Sequence, residues 1–309
     1  MSHDCPKSEN RDNLALAIAA IIIAVLALSA GDAAIKYIGA SFPLWQTYIL
    51  RSALAIVPLL AFIRWKQPGR SLVPRALGWV TTRSAMLAIM WACYYLALPH
   101  VKLAVAAASY YTTPLFIALL SAVLTGDKVG LFKWMAILLG FAGVLVMLRP
   151  DPDGLNWYVL LPLVSAILYA LSMILTRTKC RDDSPLLLSL NLNMTFIVFG
   201  AVFGLAITQF DGSGSLMSTN ALLFGGWVTL DQSAWLVMTM LAVAILIGSI
   251  GAALAYQNGP APVVAVFDNA YLLFSVIWGI LVFAEVPDIW SLAGMVMIVT
   301  AGTVVVTLR

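Results

Sequence analysis

The sequence predicts an all-α polytopic membrane protein with ten transmembrane helices, arranged as two inverted five-helix repeats. Three observations lead to this fold class. Of the 309 residues, 62% are hydrophobic and 10% are charged, whereas a soluble domain carries about 25% charged residues. The apolar residues form runs of membrane-spanning length, and Lys and Arg are concentrated in alternate connections between those runs. A water-soluble surface cannot be assembled from this composition.

Ten apolar runs, separated by polar residues or by Pro and Gly, supply the predicted helices. A helix needs about 20 predominantly apolar residues to cross a hydrocarbon core of roughly 30 Å. The first run is expected to remain as helix 1, because acidic and basic residues are mixed before it and no signal-peptide cleavage site follows it. The predicted helices cover residues 14–38, 42–63, 76–98, 101–124, 131–148, 156–176, 185–208, 234–255, 260–283 and 288–308.

The distribution of Lys and Arg predicts the orientation of these helices. If the N-terminus is cytoplasmic, twelve of the 17 basic residues fall in inward segments, and only Lys102 and Arg149 fall in outward loops. The other three lie inside predicted helices. Because positive residues collect on the cytoplasmic side, both termini are expected in the cytoplasm. The net charge of +3 therefore reflects membrane topology, and no nucleic-acid partner is expected.

The two halves of the chain resemble each other. When Asp127 is placed over Glu285, each of these residues follows the fourth helix of its half, and residues 142–145 match residues 301–304 with a one-residue gap. Because five is odd, the second copy would cross the membrane in the opposite direction, and substrate sites of such proteins lie between the halves near the midplane. The predicted division is a cytoplasmic tail over 1–13, a first repeat over 14–149 and a second over 150–309.

Several short motifs carry a likeness to a known family. They are Phe42-Pro43 to Arg51, Arg83 near the start of helix 3, Tyr95-Leu96-Ala97-Leu98, Thr113-Pro114, Gly126-Asp127, Ala255-Tyr256, Gly259-Pro260-Ala261 and Phe283 to Asp288. These residues resemble the EamA family of the drug/metabolite transporter superfamily. The resemblance implies ten helices, a central cavity formed by helices 1–4 and 6–9, and transport of amino acids or other small metabolites. Asp268-Asn269 departs from the family, which commonly has apolar residues or proline there, and this departure bears on the substrate.

Asp268 and Arg51 are the first candidates for substrate binding, because ionisable groups inside a membrane are costly and rare. At 1.5 Å per residue, both fall near mid-depth of their helices. They could form a permanent structural ion pair, or they could hold the amino and carboxylate ends of a zwitterion. Asp268 could also bind a proton, and the hypothesis of proton coupling predicts that Asp268→Asn abolishes pH-driven accumulation. Asn269 is a further candidate because it adjoins Asp268.

Candidates for coupling or gating come from the other charged residues and from one proline. Asp32 and Lys36 are spaced by four residues, so they share a face of helix 1 and could form an ion pair, although Lys36 could instead anchor the helix at the interface. Arg83 is expected to extend towards the cytoplasm or to pair across helices, with substrate contact as the alternative. Pro114 can kink helix 4 and free backbone carbonyl groups.

Aromatic residues form the remaining candidate site. Tyr110 and Tyr111 fall near mid-depth of helix 4, where the usual role of tyrosine as an interfacial anchor does not apply. Trp91, Tyr94 and Tyr95 lie about one turn apart in helix 3, and on a shared face they would form a cage for an aromatic or cationic group. Packing alone is the alternative for each of them.

The sequence contains no pattern that favours catalysis, and neither a metal nor a cofactor is expected. Both histidines lie outside the predicted helices, and no phosphate-binding glycine loop occurs, so transport would be secondary. The leading hypothesis is a carrier of a small amphipathic metabolite such as an amino acid. A carrier of a cationic or heterocyclic metabolite comes second, and a lipid-modifying intramembrane enzyme or a channel comes after it. Both a monomer and a homodimer in the lipid bilayer remain open.

Overall fold

The protein is described here by a computed structural model. The structure describes residues 13–38, 42–66, 68–69, 71–110, 112–113, 115–117, 119–120, 131–148, 158, 160–210 and 221–307. These residues form helices and connecting turns, with no β-strand among them. The all-α class predicted from the composition is therefore confirmed. Tyr111 and Pro114, two of the candidate residues, lie outside the described residues.

Twelve helices follow one another along the described chain. They are α1 (Leu14–Ile38), α2 (Leu44–Lys66), α3 (Leu77–Ala97), α4 (Leu103–Tyr110), α5 (Leu131–Leu148), α6 (Leu160–Thr178), α7 (Pro185–Phe210), α8 (Ala221–Phe224), α9 (Gln232–Asn258), α10 (Ala261–Asp268), α11 (Ala270–Phe283) and α12 (Ile289–Thr307).

The observed helices follow the predicted apolar runs closely. Six helical segments in the described chain are long and apolar enough to cross a membrane, over residues 14–37, 44–66, 160–178, 185–207, 232–258 and 263–283. The last of these joins α10 and α11, which meet at Asn269. Many large apolar side chains on the outside of the bundle are exposed, as expected for helices whose neighbours are lipid chains. The count of ten spanning helices remains a prediction.

The helices pack in four main pairs. The α1 helix lies along α9, α3 along α6, α2 along α7, and α5 along α12. Near the centre of the bundle, α4 contacts α6 and α11, α11 contacts α1, and α10 contacts both α1 and α6. Predicted helices 1–4 correspond to α1–α4, and predicted helices 6–9 correspond to α6, α7, α9 and the α10–α11 segment. These helices therefore surround a common core. The α5 helix packs with α12.

Glycines allow the α1 and α9 helices to approach each other closely. A Cβ atom at Gly251 would lie 2.9 Å from the carbonyl oxygen of Ala20 and 2.9 Å from Cβ of Ala24. Backbone atoms cannot move aside as a flexible side chain can. Helix pairs in membranes use small residues in this way, because packing rather than water exclusion holds them together.

We expect Gly251→Ala to destabilise the purified protein in detergent. The added methyl group overpacks the α1–α9 contact, and overpacking of this kind costs about 1–3 kcal/mol. The measurement is the melting temperature in a thermal-unfolding assay. Gly78→Ala is the matched control, because nothing lies within 4 Å of a Cβ atom at Gly78. A melting temperature of Gly251→Ala equal to that of the control would contradict the close packing.

Candidate substrate site

A small cavity lies at the centre of the bundle, between helices from both halves of the chain. Its volume is about 10 Å³, which is enough for about one water molecule. A metabolite can therefore enter only if the surrounding helices separate. The cavity is lined by Val25, Leu28, Trp91, Tyr94, Tyr110, Tyr169, Asp268 and Tyr271.

Asp268 contributes the carboxylate of this cavity. It is the last residue of α10, and its side chain is 3% exposed. The hydroxyl group of Tyr256 donates a 2.9 Å hydrogen bond to its Oδ2 atom, and the ring of Tyr256 packs edge-on against that of Tyr169 at 6.3 Å. This hydrogen bond offsets part of the cost of burying a charged or polar group. The neighbouring Asn269 lies instead in a separate groove beside α12.

A second buried carboxylate, Asp32 on α1, lies directly behind the cavity wall. It accepts a short hydrogen bond from the hydroxyl group of Tyr271, whose hydroxyl lies 3.0 Å from that of Tyr94. The adjacent Tyr95 accepts a 3.0 Å hydrogen bond at its hydroxyl group from Arg51 Nη1. Hydrogen bonds therefore join α1, α11 and α3 through Asp32, Tyr271 and Tyr94, and join α2 to α3 through Arg51 and Tyr95.

Arg51 is held by aromatic rings outside the cavity lining. Its guanidinium carbon lies 4.5 Å from the ring centre of Phe196, 5.0 Å from that of Tyr48 and 5.6 Å from that of Tyr95. Contacts of this kind stabilise a desolvated guanidinium group. The structure does not bring Arg51 and Asp268 into an ion pair, because Arg51 is bonded to Tyr95 whereas Asp268 is bonded to Tyr256. Similar depth in the membrane does not imply contact.

Aromatic rings form most of the cavity wall. The rings of Trp91 and Tyr95 lie 5.1 Å apart, and Tyr94 packs edge-on against Trp91 at 6.1 Å. Tyr110 lies 5.6 Å from Tyr94 and 6.2 Å from Tyr271. The structure thus brings together three aromatic candidates of helix 3 and one of helix 4.

Lys36 forms its ion pair with a residue other than Asp32. Its Nζ atom lies 2.6 Å from Glu285 Oε1 and donates to the carbonyl oxygen of Val101 at 3.3 Å. Glu285 also accepts a 3.1 Å hydrogen bond from the backbone amide of Leu103. Of the two roles considered for Lys36, the ion pair with Asp32 is not formed, because the Lys36 side chain extends across to the ends of neighbouring helices. The Lys36–Glu285 pair links α1, α4 and the segment after α11 at one end of the bundle.

Arg83 lies on α3 beside a second small cavity of about 20 Å³. Its Nε atom donates a 2.6 Å hydrogen bond to Thr176 Oγ1 on α6, so it does pair across helices. The Nη1 atom of this buried guanidinium has no hydrogen-bond partner among the described residues. Trp91 and Tyr169 line both this cavity and the central one.

Several site residues were missed by sequence reasoning, namely Tyr169, Tyr256, Tyr271 and Glu285. Two of the tyrosines could have been found by a different alignment of the halves. An offset of 161 places Pro99 over Pro260, and the same offset places Tyr95 over Tyr256 and Tyr110 over Tyr271. The second half thus repeats the tyrosine pattern of the first.

Comparisons with known proteins agree with this architecture. The pseudopaline exporter of Pseudomonas aeruginosa is 26% identical over 285 residues, covering 91% of this chain and 93% of the relative. The riboflavin transporter of Vibrio cholerae is 27% identical over 287 residues, covering 91% and 90%. The S-adenosylmethionine uptake transporter of Rickettsia bellii is 20% identical over 289 residues, covering 91% and 89%.

A crystal structure of another protein shares the fold, with a TM-score of 0.66 and 18% identity over 96% of this chain and 98% of that one. The relatives' names indicate transporters rather than enzymes, and together with the apolar helices they identify an integral membrane protein. The model of the EamA-like transporter family matches residues 15–149. The family resemblance inferred from the sequence is therefore confirmed over the first half of the chain, which is similar to EamA-like transporters.

Proposed function

We propose that the chain is a secondary transporter that moves a small amphipathic metabolite across the inner or plasma membrane by alternating access. One observation carries this proposal. The central cavity combines a buried carboxylate, Asp268, with aromatic rings contributed by both halves of the chain. Polar groups that converge on an apolar, enclosed pocket are typical of small-molecule sites. The orientation with both termini in the cytoplasm follows from the distribution of Lys and Arg.

The packing pattern supports two inverted repeats over residues 14–149 and 150–309. An exchange of the halves replaces α1 by α6, α2 by α7, α3 by α9, and α4 by α10 and α11. The exchange turns the pair α1–α9 into α6–α3, and it turns the pair α3–α7 into α9–α2. All four of these helix pairs are in contact. The contact α4–α6 likewise becomes that of α11 with α1. A twofold relation between inverted repeats predicts this correspondence.

Contacts at the two ends of the bundle support alternating access. At one end, Lys36 and Glu285 hold α1 beside the α4 and α11 ends. At the other end, Arg177 Nη1 on α6 donates a 2.8 Å hydrogen bond to the carbonyl oxygen of Gly259, between α9 and α10. The two contacts are equivalent under the exchange of halves, because Lys36 lies on α1 and Arg177 lies on α6, its counterpart in the second half. Opening one end while the other stays closed would admit a substrate from one side at a time.

Two substrate classes fit this site. An amino acid or related compound would place its ammonium group against Asp268 and its apolar part against the aromatic rings. A flat heterocyclic metabolite would stack on the same rings and donate N–H groups to Asp268, and the riboflavin transporters among the relatives favour this second class. Because Asp268 can hold either a proton or a substrate cation, competition between the two would couple transport to the pH gradient.

Proteoliposomes containing the purified protein test the proposed function. Radiolabelled amino acids, polyamines, riboflavin and nucleosides are offered with and without a pH gradient. We expect saturable uptake of one class and competition by its members only. No uptake above protein-free liposomes for any compound would count against a metabolite carrier.

A further inference from the structure

The helical segment that carries Asp268 is a wall between two spaces of very different size. Asp268 and Tyr271 line the central cavity, whose volume is about 10 Å³. Asn269 and Leu272, the residues that follow them, line a groove of about 500 Å³ on another side of the same segment. The thickness of the α10–α11 segment therefore separates the central cavity from a much larger space.

This groove lies between the α10–α11 segment and α12, and it faces the surrounding bilayer. Leu273 on α11 and Val296 on α12 both line it, and their side chains are 62% and 64% exposed. The lining is apolar apart from Asn269 and two threonines, and the described residues in it include no ionisable side chain. It adjoins the spanning segment 263–283. An uncharged surface at this depth fits lipid acyl chains and not lipid headgroups.

The wall is interrupted at Asn269. The Asn269 amide donates a 3.2 Å hydrogen bond to the carbonyl oxygen of Val266, and the Leu272 amide donates a 3.0 Å hydrogen bond to that of Asn269. These hydrogen bonds span three residues instead of the four of an α-helix, and such a stretch inside a helix often marks a hinge. The Asn269 side chain is 6% exposed, and its amide nitrogen and oxygen have no hydrogen-bond partner in the described part of the chain. This side chain therefore does not tie the interruption to α12.

Entry of a substrate requires the central cavity to grow, because small-molecule sites typically occupy about 300–1,000 Å³. The α1 wall of the cavity has little room to retreat, since a Cβ atom at Gly251 of α9 would lie 2.9 Å from the carbonyl oxygen of Ala20. The α10–α11 wall has room, because the groove lies beside it. Bending at Asn269 towards α12 would add volume to the cavity and remove it from the groove.

We propose that the groove between α11 and α12 binds the acyl chain of a bilayer phospholipid, and that this chain leaves the groove when the α10–α11 segment bends to enlarge the central cavity. A chain held in the groove keeps the cavity small, so the bilayer lipid acts as a negative regulator of substrate entry. This inference rests on the proposed function, in which the central cavity is the substrate site.

Photo-crosslinking tests whether lipid occupies the groove of the unmodified protein. The probe is phosphatidylcholine with a diazirine in the middle of one acyl chain, and the modified residues are identified by mass spectrometry. We expect modification at Val296 about tenfold more often than at Val202 on α7, which is 63% exposed but lies outside the groove. Equal modification of the two valines would overturn lipid binding. Crosslinks from Val296 to a second copy of the chain would also overturn it.

Bulky side chains in the groove test its coupling to the central cavity. Val296→Phe and Val299→Phe each add a ring on α12, where the α10–α11 segment would have to move. A cysteine at Val25, in the wall of the central cavity, reports opening through its reaction with a membrane-impermeant maleimide in proteoliposomes. With the three native cysteines replaced by serine, we expect labelling about tenfold slower in both variants. Val202→Phe is the matched control and should label at the original rate.

Labelling that is unchanged in both groove variants, or slowed equally by Val202→Phe, would overturn the coupling. If a compound of the panel is transported equally by the unmodified protein and by Val296→Phe, the transport function stands and this inference fails. If labelling slows as expected but no compound is transported, the groove controls the cavity and the carrier function fails. The crosslinking result does not depend on how well either variant folds.

Discussion

Replacing Asp268 by asparagine is expected to abolish accumulation driven by a pH gradient. Asparagine has nearly the same shape and still accepts the Tyr256 hydrogen bond, but it cannot bind a proton. Exchange of internal for external substrate should continue, at an affinity about tenfold lower because the substrate's cation loses its partner. Both activities are measured in proteoliposomes, with an imposed pH gradient for accumulation and equal pH for exchange.

Asp231→Asn provides the matched control for this charge removal. Asp231 is exposed and caps the start of α9, where its Oδ1 atom accepts a 2.9 Å hydrogen bond from the Ala234 amide. This hydrogen bond and the one from Ser233 hold the pKa of Asp231 below its usual value, and asparagine can also cap a helix. Transport by Asp231→Asn should match the unmodified protein. Continued pH-driven accumulation by Asp268→Asn would rule out Asp268 as the coupling residue.

Replacing Glu285 by glutamine is expected to open the end of the bundle that contains Lys36. The glutamine carbonyl oxygen can still accept from the Leu103 amide, so the substitution removes mainly the charge. The Lys36–Glu285 pair is partly buried, with side chains 12% and 23% exposed, and loss of one partner leaves the other charge unpaired. A cysteine placed at Val25, in the cavity wall, should then react about tenfold faster with a membrane-impermeant maleimide.

Two further variants separate this contact from a general effect of charge. Lys102→Met removes a nearby exposed Lys and should leave the labelling rate unchanged. The exchanged pair Lys36→Glu with Glu285→Lys should restore slow labelling only in part, because it keeps the charge attraction but loses the hydrogen bonds to the Val101 carbonyl and from the Leu103 amide. All measurements use a background in which Cys5, Cys93 and Cys180 are replaced by serine. Equal labelling rates in Glu285→Gln and the unmodified protein would show that this pair does not close the bundle.

The helices could be predicted from the sequence because a membrane helix must satisfy its own backbone hydrogen bonds and be long enough to cross the bilayer. The apolar run 131–148 coincides with α5, and the run that starts at residue 185 is α7. Asp268 and Tyr110 could be singled out for a related reason, since polar groups at mid-depth are costly. Hydropathy alone, however, does not determine which helices are neighbours.

Contacts between distant parts of the chain were the part that sequence reasoning could not supply. Tyr271 and Asp32 are 239 residues apart, and nothing local in either segment indicates that they meet. The spacing of Asp32 and Lys36 suggested a local pair, but a tertiary contact with Glu285 prevailed. Arg51 and Asp268 were matched by depth, which leaves the direction of each side chain around its helix undetermined.

Substrate exchange in proteoliposomes tests the central claim most directly. Vesicles are loaded with an unlabelled compound from the transported class, and uptake of the labelled compound is followed at equal pH on both sides. A carrier that opens alternately is expected to show faster labelled uptake when unlabelled substrate is inside, because a loaded site returns across the membrane more readily than an empty one. Uptake that is independent of internal substrate and does not saturate would contradict alternating access and indicate a channel instead.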